Sequence, residues 1–175
     1  MSKSKIFCVL NLFAAIAILS GCQSTRVWPV GLSKEIQNET QFSLVSDGGS
    51  ITAIGTDTSE CKIYAFTNFV PKNEHLYVMK YSQSDHKDIE QAFTFTSDGQ
   101  NLVLNVNKKP SDRITIGDID YVILLPKNMD FSLYTKKGDI KAMNFSENKF
   151  FQMKTAKGDG IVYGIGGQGT VYGNK

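Results

Sequence analysis

From Phe42 onward, apolar and polar residues alternate in short runs separated by Gly, Asp, Asn and Ser. No apolar stripe with the 3.6-residue period of a helix lasts longer than about two turns, so the pattern predicts strands. Only residues 85–92 have the composition of a helical turn. This part of the chain is therefore predicted to be all-β. The predicted strands are 42–45, 50–54, 62–66, 75–81, 92–96, 102–106, 121–125, 131–134, 140–143, 151–154 and 161–163.

A ten-residue phrase recurs along the chain. Residues 131–140 (FSLYTKKGDI) return 20 positions later as 151–160 (FQMKTAKGDG), and 42–51 (FSLVSDGGSI) form a third copy. In each copy, apolar residues two positions apart point to one face, and a Gly allows the chain to turn a tight corner into the next strand. A unit this short cannot bury its apolar row alone, whereas stacked copies share a core.

The repeat therefore predicts a single-domain β-solenoid, right-handed and β-helix-like, with coils of about 20 residues. Its internal stack is predicted to contain Phe131, Leu133, Phe151 and Met153. An antiparallel β-sandwich is the alternative, because it also uses short strands and Gly turns. Residues 72–118 fit the repeat poorly and predict an antiparallel excursion, with a hairpin turn at 97–100.

The N-terminus has the pattern of a secretion signal. Lys3 and Lys5 precede an uncharged run of 14 residues, 6–19, which is shorter than the roughly 20 residues that span a bilayer. The sequence Leu-Ser-Gly-Cys at 19–22 resembles the lipobox of bacterial lipoproteins. This resemblance implies cleavage after residue 21 and lipidation of Cys22. Gln23, where inner-membrane lipoproteins commonly have Asp, resembles the outer-membrane case.

These observations predict three segments: a lipoprotein signal peptide at 1–21, a lipidated N-terminus and tether at 22–40, and the β domain at 41–175. The tether is polar and is broken by Pro29 and Gly31. The expected location is the bacterial cell envelope, with the protein anchored through Cys22 to the outer membrane.

Net charge and cysteine content limit the partners and the cysteine chemistry that the sequence predicts. Loss of 1–21 removes two of 19 basic residues and no acidic residue, which leaves 17 of each sign. A balanced chain has no long-range field to attract nucleic acid or an anionic lipid surface, so neither is expected as a principal partner. Cys8 leaves with the signal and Cys22 is committed to lipid, so Cys61 has no disulfide partner and is predicted to be a buried structural thiol.

The segment 122–140 (VILLPKNMDFSLYTKKGDI) has a distinctive order: an apolar strand ending in Leu-Pro, an apolar alternation, Thr, and Gly-Asp-Ile. A weaker return follows at 155–159. This order resembles that of the adhesin-like β-solenoid domains of the DUF4097 class, and the resemblance covers about residues 40–175. It implies a solenoid fold, and it supplies no catalytic residues because the family shares none.

Three sequence patterns are candidates for a nucleotide site, a metal site and a catalytic site, respectively. Residues 164–169 satisfy G-x-G-x-x-G, but a nucleotide site needs a following helix, which is not expected here. Asp85, His86, Asp88 and Glu90 form a polar cluster that is expected to be a solvated loop rather than a metal site. Asp139 and Asp159 are expected to stack about 4.8 Å apart as turn residues. The competing hypothesis makes them a carboxylate pair that cleaves polysaccharide.

The sequence thus predicts a membrane-anchored, noncatalytic module that presents a β-solenoid surface to an envelope protein or glycan, without metal or cofactor. The alternatives are a glycan-active enzyme on the same scaffold and a carrier of lipid or a small molecule. A carrier requires an apolar pocket between the solenoid and residues 72–118.

Overall fold

A computed structural model of the chain describes residues 26–71, 83–112 and 114–173. One helix, α1 (Gln83–Gln91), lies among the strands. The strands are β1 (Arg26–Glu35), β2 (Gln41–Ser46), β3 (Ile51–Thr56), β4 (Glu60–Pro71), β5 (Phe93–Asp98), β6 (Asn101–Val106), β7 (Ile114–Pro126), β8 (Asp130–Thr135), β9 (Ile140–Phe145), β10 (Phe150–Thr155), β11 (Gly160–Ile165) and β12 (Gln168–Tyr172). The all-β prediction is confirmed, and every predicted strand within the described residues overlaps an observed one.

The strands form two six-stranded mixed sheets. Sheet A has the order β1-β4-β7-β3-β9-β11, and sheet B has the order β12-β10-β8-β2-β6-β5. Pairs within the repeat region are parallel, whereas pairs that involve β1, β4 or β5 are antiparallel. The antiparallel excursion predicted around the turn at 97–100 is the β5–β6 hairpin. The apolar residues of the inner faces form one buried core between the sheets.

The three copies of the repeated phrase lie side by side in register. In sheet B, Phe42 pairs with Phe131, and Phe131 pairs with Phe151. The next inward position holds Leu44, Leu133 and Met153, which are all 0 or 1 % exposed. The predicted internal stack is therefore confirmed, since the alternation places identical positions of each copy on the same inner face.

β2 and β3 lie in the middle of the two sheets, out of sequence order. β2 lies between β6 and β8 in sheet B, and β3 lies between β7 and β9 in sheet A. β7 and β8 are joined directly by residues 127–129, yet β3 separates β7 from β9 in sheet A, and β2 separates β8 from β6 in sheet B. A solenoid wound strictly in sequence order would place β8 beside β6.

Each copy turns the corner between its two strands with a left-handed Gly. Gly49 and Gly138 have φ of 94° and 107°. A β-carbon on Gly138 would lie 2.6 Å from the carbonyl carbon of Gly49, so neighbouring corners leave no room for a side chain. The Thr135 hydroxyl donates to the carbonyl of Gly49 at 3.0 Å and is fully buried. The buried hydroxyl therefore ties one corner to the next.

The structure differs from the sequence prediction at both ends of the domain. Residues 26–35 of the predicted tether form β1, which pairs with β4 along its whole length. Pro29 is tolerated because β1 is the edge strand of sheet A and needs no donor on its outer side. The Gly-rich terminus forms β12 on the far edge of sheet B. Residues 1–25, which include Cys22, and the predicted strand at 75–81 lie outside the described residues.

Candidate binding surface

The outer face of sheet A carries an apolar row across four strands. Leu124 pairs with Ile54, Ile54 with Met143, and Met143 with Tyr163, so their side chains are neighbours on the outer face. The first three are partly exposed, and Tyr163 is 61 % exposed. We refer to these four residues as the apolar row. Strands of sheet A are therefore apolar on both faces at this level, although only the inner face contributes to the core.

Aromatic side chains extend the apolar row toward the other edge of sheet A. Tyr64 and Phe66 on β4 point outward and are 43 % and 37 % exposed. Tyr64 pairs with Val122, which is next to the apolar row on β7. Lys62 on β4 lies beside Leu124 at the margin of the apolar row, and its ammonium lies 3.0 Å from the Glu60 carboxylate. The surface is thus apolar at its centre and charged at its rim, as protein-binding surfaces are.

The outer face of sheet B is polar at the equivalent level. Ser43, Ser132, Gln152 and Thr170 lie side by side across β2, β8, β10 and β12. The Ser132 hydroxyl lies 3.4 Å from the Gln152 Oε1, and the Ser43 hydroxyl donates to Asn101 at 3.0 Å. The aligned apolar row therefore lies on sheet A, whereas the exposed apolar residues on the outer face of sheet B, Val45, Phe150 and Tyr172, stand on separate strands.

Asp139 and Asp159, the candidate catalytic pair, form part of a ladder of hydrogen bonds at the start of the sheet A strands. Asp120 Oδ1 accepts from the Ser50 N–H at 2.7 Å, and the Ser50 hydroxyl accepts from the Asp139 N–H at 3.3 Å. Asp139 Oδ1 then accepts from the Asp159 N–H at 3.0 Å. Each side chain satisfies the backbone of the next coil, which is the turn role expected for Asp139 and Asp159.

This arrangement predicts different outcomes for two substitutions of Asp139. Asp139→Ala should lower the free energy of unfolding by about 1 kcal/mol, because the Asp159 N–H loses its acceptor. Asp139→Asn should change it by less than about 0.5 kcal/mol, because an amide oxygen accepts the same bond. Chemical denaturation measures both values. A carboxylate pair that cleaves polysaccharide would instead lose that activity in Asp139→Asn while remaining stable.

A cavity of about 350 Å³ lies where the chain leaves sheet A, at the turns after β1, β3 and β7. Its lining is mixed polar and apolar, and among the described residues none from 83–112 or 114–118 contributes to it. The lining residues are Ile36, Gln37, Glu39, Thr40, Thr58, Ser59, Pro126, Asn128 and Met129.

Glu39 is the buried charge of this cavity and holds the turn after β1. Its Oε2 accepts from the N–H groups of Gln37 and Asn38 at 2.9 and 3.2 Å. Backbone hydrogen bonds, first of all from Gln37, lower the pKa of Glu39 from 4.5 to about 2, because they favour the ionised form. The carboxylate is therefore already used by the protein's own backbone.

Cys61 is fully buried in β4, as predicted. Desolvation raises the pKa of its thiol to about 12, so the thiolate that a nucleophile requires is scarce at neutral pH. Cys61 therefore packs as a small apolar residue in the core of sheet A.

The cluster near His86 lies on α1, which confirms the helical turn predicted for residues 85–92 and replaces the loop expected for the cluster. Residues 83–91 form a helix whose Ile89 side chain is 1 % exposed and packs in the core. The side chains of Asp85 and His86 lie outside the described part of the chain. Across residues 26–71, 83–112 and 114–173, no group of three His, Cys, Asp or Glu side chains is placed to hold a metal ion. Residues 164–169 pass from β11 into β12, not into a helix.

Sequence reasoning missed the apolar row. The available signal was the continuous run Tyr121–Leu125, because a strand with one wet face would alternate, whereas this one is apolar on both faces. The row also requires β3, β7, β9 and β11 to be adjacent, and the alternation within each strand does not show that order. In the part of the chain that the structure describes, no helix is long and apolar enough to cross a membrane.

No family model and no curated protein matches the sequence. Solved structures with a similar arrangement include a "putative cell adhesion protein" from Clostridium sporogenes, with 8 % identity, 84 % of this chain and 100 % of that chain covered, and a TM-score of 0.38. Two others are a "putative adhesin" from Parabacteroides merdae (11 % identity, 78 % and 53 % covered, TM-score 0.33) and a "putative lipid binding protein" from Parabacteroides distasonis (8 % identity, 82 % and 61 % covered, TM-score 0.34).

Proposed function

We propose that this chain is a noncatalytic binding module of the bacterial cell envelope and that its apolar row docks a protein partner. The observation that carries the proposal is the alignment of Leu124, Ile54, Met143 and Tyr163 on the outer face of sheet A. Burial of an exposed apolar patch against another surface is favourable by about 25 cal/mol for each Å² of apolar area removed from water.

A protein suits this surface better than a glycan. Three of the four residues in the apolar row, Leu124, Ile54 and Met143, have apolar side chains without a ring. Burial of such side chains away from water is favourable. A sugar ring also needs many hydrogen-bonding groups beside an aromatic platform, and the Leu124 and Ile54 side chains of the apolar row supply none. Lys62 and Lys141, at the margin of the apolar row, would contribute to the choice of partner more than to affinity.

For the architecture, we infer that the parallel coils form a short adhesin-like β-solenoid of the DUF4097 type, interrupted by the antiparallel strands β1, β4 and β5. The support is the in-register parallel stacking of the three repeated phrases. The ladder through Asp120, Ser50 and Asp139 repeats at the corner of each coil in the same way.

For the location, we infer a lipid anchor at Cys22 in the outer membrane. Strand β1 begins at Arg26, so four residue steps separate it from the anchor. Four residues span at most about 14 Å when extended. A lipidated Cys22 would therefore hold the β domain close to the bilayer surface, where its partner would also have to lie.

Photo-crosslinking in the native envelope tests the binding surface. A probe at Lys141 lies on the outer face of sheet A beside the apolar row, and a comparison probe at Lys154, which is also exposed, lies on the outer face of sheet B. We expect a discrete protein adduct at position 141 that disappears when Met143→Asp is added. We expect little adduct at position 154.

Three results would contradict the proposal: equal adducts at both positions, an adduct at 141 that survives Met143→Asp, or no adduct from an abundant, membrane-associated protein. A glycan adduct at 141 would retain the surface but replace the partner. Membrane association itself is measured by metabolic labelling with a fatty acid, which Cys22→Ser should abolish.

A further inference from the structure

The coil formed by β11 and β12 leaves one end of the stack open. Among the described residues, β11 pairs with β9 and β12 pairs with β10, and neither has a partner on its other side. Each strand therefore presents a row of backbone N–H and C=O groups to whatever lies beyond it. Such an edge is a template for pairing with another strand.

The core is also open at this end. Val162 follows Ala53 and Ala142 in the inner column of sheet A, where both alanines are fully buried. Val171 follows Met153 in the inner column of sheet B. Both valines are 38 % exposed, although they occupy inward-facing positions. A further layer of strands would bury them as their neighbours are buried.

The two open strands lack the usual protection against pairing. β11 (GIVYGI) and β12 (QGTVY) contain no charged residue and no proline. The edge strands at the other end differ, because β1 contains Pro29 and Lys34, and β5 ends in Asp98. That other end is also covered by α1, which packs on β5 and β7. Repeat proteins need such covered ends, and among the described residues only the end formed by β1 and β5 has a cover.

We propose that the open end binds the same end of a second copy of this chain. A two-fold axis parallel to the strands would place β11 of one copy beside β12 of the other, and β12 beside β11. Because β11 and β12 lie on opposite sheets and the chain reverses between them, both new pairs are antiparallel. All four open edges are then paired, and the contact is closed, since each copy uses the same surface.

The form of the open end selects this partner over an extended peptide. A peptide strand can pair with β11 or with β12, but it leaves the other edge and its valine uncovered. A partner that covers both must present two strands on two sheets at the same spacing, which a second copy does by symmetry. Two uncharged edges also meet without repulsion, whereas the covered end with its proline and charges cannot take this role.

Sedimentation equilibrium of the full chain in a density-matched neutral detergent tests the proposal. We expect a dimer. Val171→Lys should raise the dissociation constant of this dimer by about 100-fold or more, because the substitution would bury a lysine without a partner at the two-fold contact. Val45→Lys is the matched control, since Val45 is 71 % exposed on the outer face of sheet B, away from this end. The dissociation constant of the Val45→Lys dimer should differ from that of the native dimer by less than about two-fold.

A native chain that is monomeric at all concentrations overturns the proposal, as does a dimer that survives Val171→Lys or is equally weakened by Val45→Lys. Circular dichroism shows whether Val171→Lys is folded, and Val162→Lys replaces it if it is not. Hydrogen exchange of the native chain gives a readout without any substitution. Exchange at the β11 and β12 edges should slow as protein concentration rises, and exchange that is independent of concentration contradicts the dimer.

Discussion

Replacing Phe131 with alanine should lower the free energy of unfolding by about 3–5 kcal/mol, the largest effect expected from a single truncation in this domain. The side chain is fully buried at the centre of the sheet B column, between Phe42 and Phe151. Its ring lies 4.6 Å from that of Phe145 and 5.8 Å from that of Phe151. Truncation removes the ring contacts and leaves a cavity that rigid strands on both sides cannot close.

Phe150→Ala is the matched control, because Phe150 is adjacent to Phe151 on β10 but points outward and is 43 % exposed. We expect a loss below about 1 kcal/mol. Denaturant unfolding of both variants measures the difference. Similar losses would show that the phenylalanine column does not hold the coils together.

The second large effect is expected at a corner. Gly138→Ala should destabilise the domain by roughly 3 kcal/mol or more, because two penalties act together. With φ at 107°, the residue is in a region that side chains rarely adopt. An added methyl group would also meet the Gly49 carbonyl carbon at 2.6 Å and the Ser50 nitrogen at 2.9 Å. Both obstacles are backbone atoms, which cannot rotate away as a side chain would.

Gly31→Ala provides the comparison, since a β-carbon there has no neighbour within 4 Å and β1 has an ordinary extended backbone. Alanine should leave stability unchanged or raise it by about 0.5–1 kcal/mol, since it restricts the unfolded chain. Thermal unfolding of the two variants compares the positions directly. A mild effect at Gly138 would mean that the corners of neighbouring coils are not in close contact.

The residues that face the core could be predicted because alternation along a strand determines which side chains share a face. Phe131, Leu133 and Met153 are buried for this reason. Strand β1 was missed because Pro29 and Gly31 are typical of a loop, and only its position at a sheet edge makes them compatible with a strand. Alternation contains no information about which strand lies beside which. The apolar row depends on that order, so it could not be predicted.

The central position of β2 and β3 also affects how the domain reaches its native state. Ser50 and Asp139, which are hydrogen-bonded across neighbouring coils, are 89 positions apart in the chain. Loops of this length must close before the middle of the stack exists, which makes folding slow and strongly cooperative compared with a linear array. As the chain is synthesised from its N-terminus, β2 and β3 can pair with β6 and β7 once residue 126 has emerged, and with β8 and β9 only when residues near 140 follow. The strands should therefore unfold together in one transition, and β2 and β3 cannot be deleted without separating the strands on either side of them.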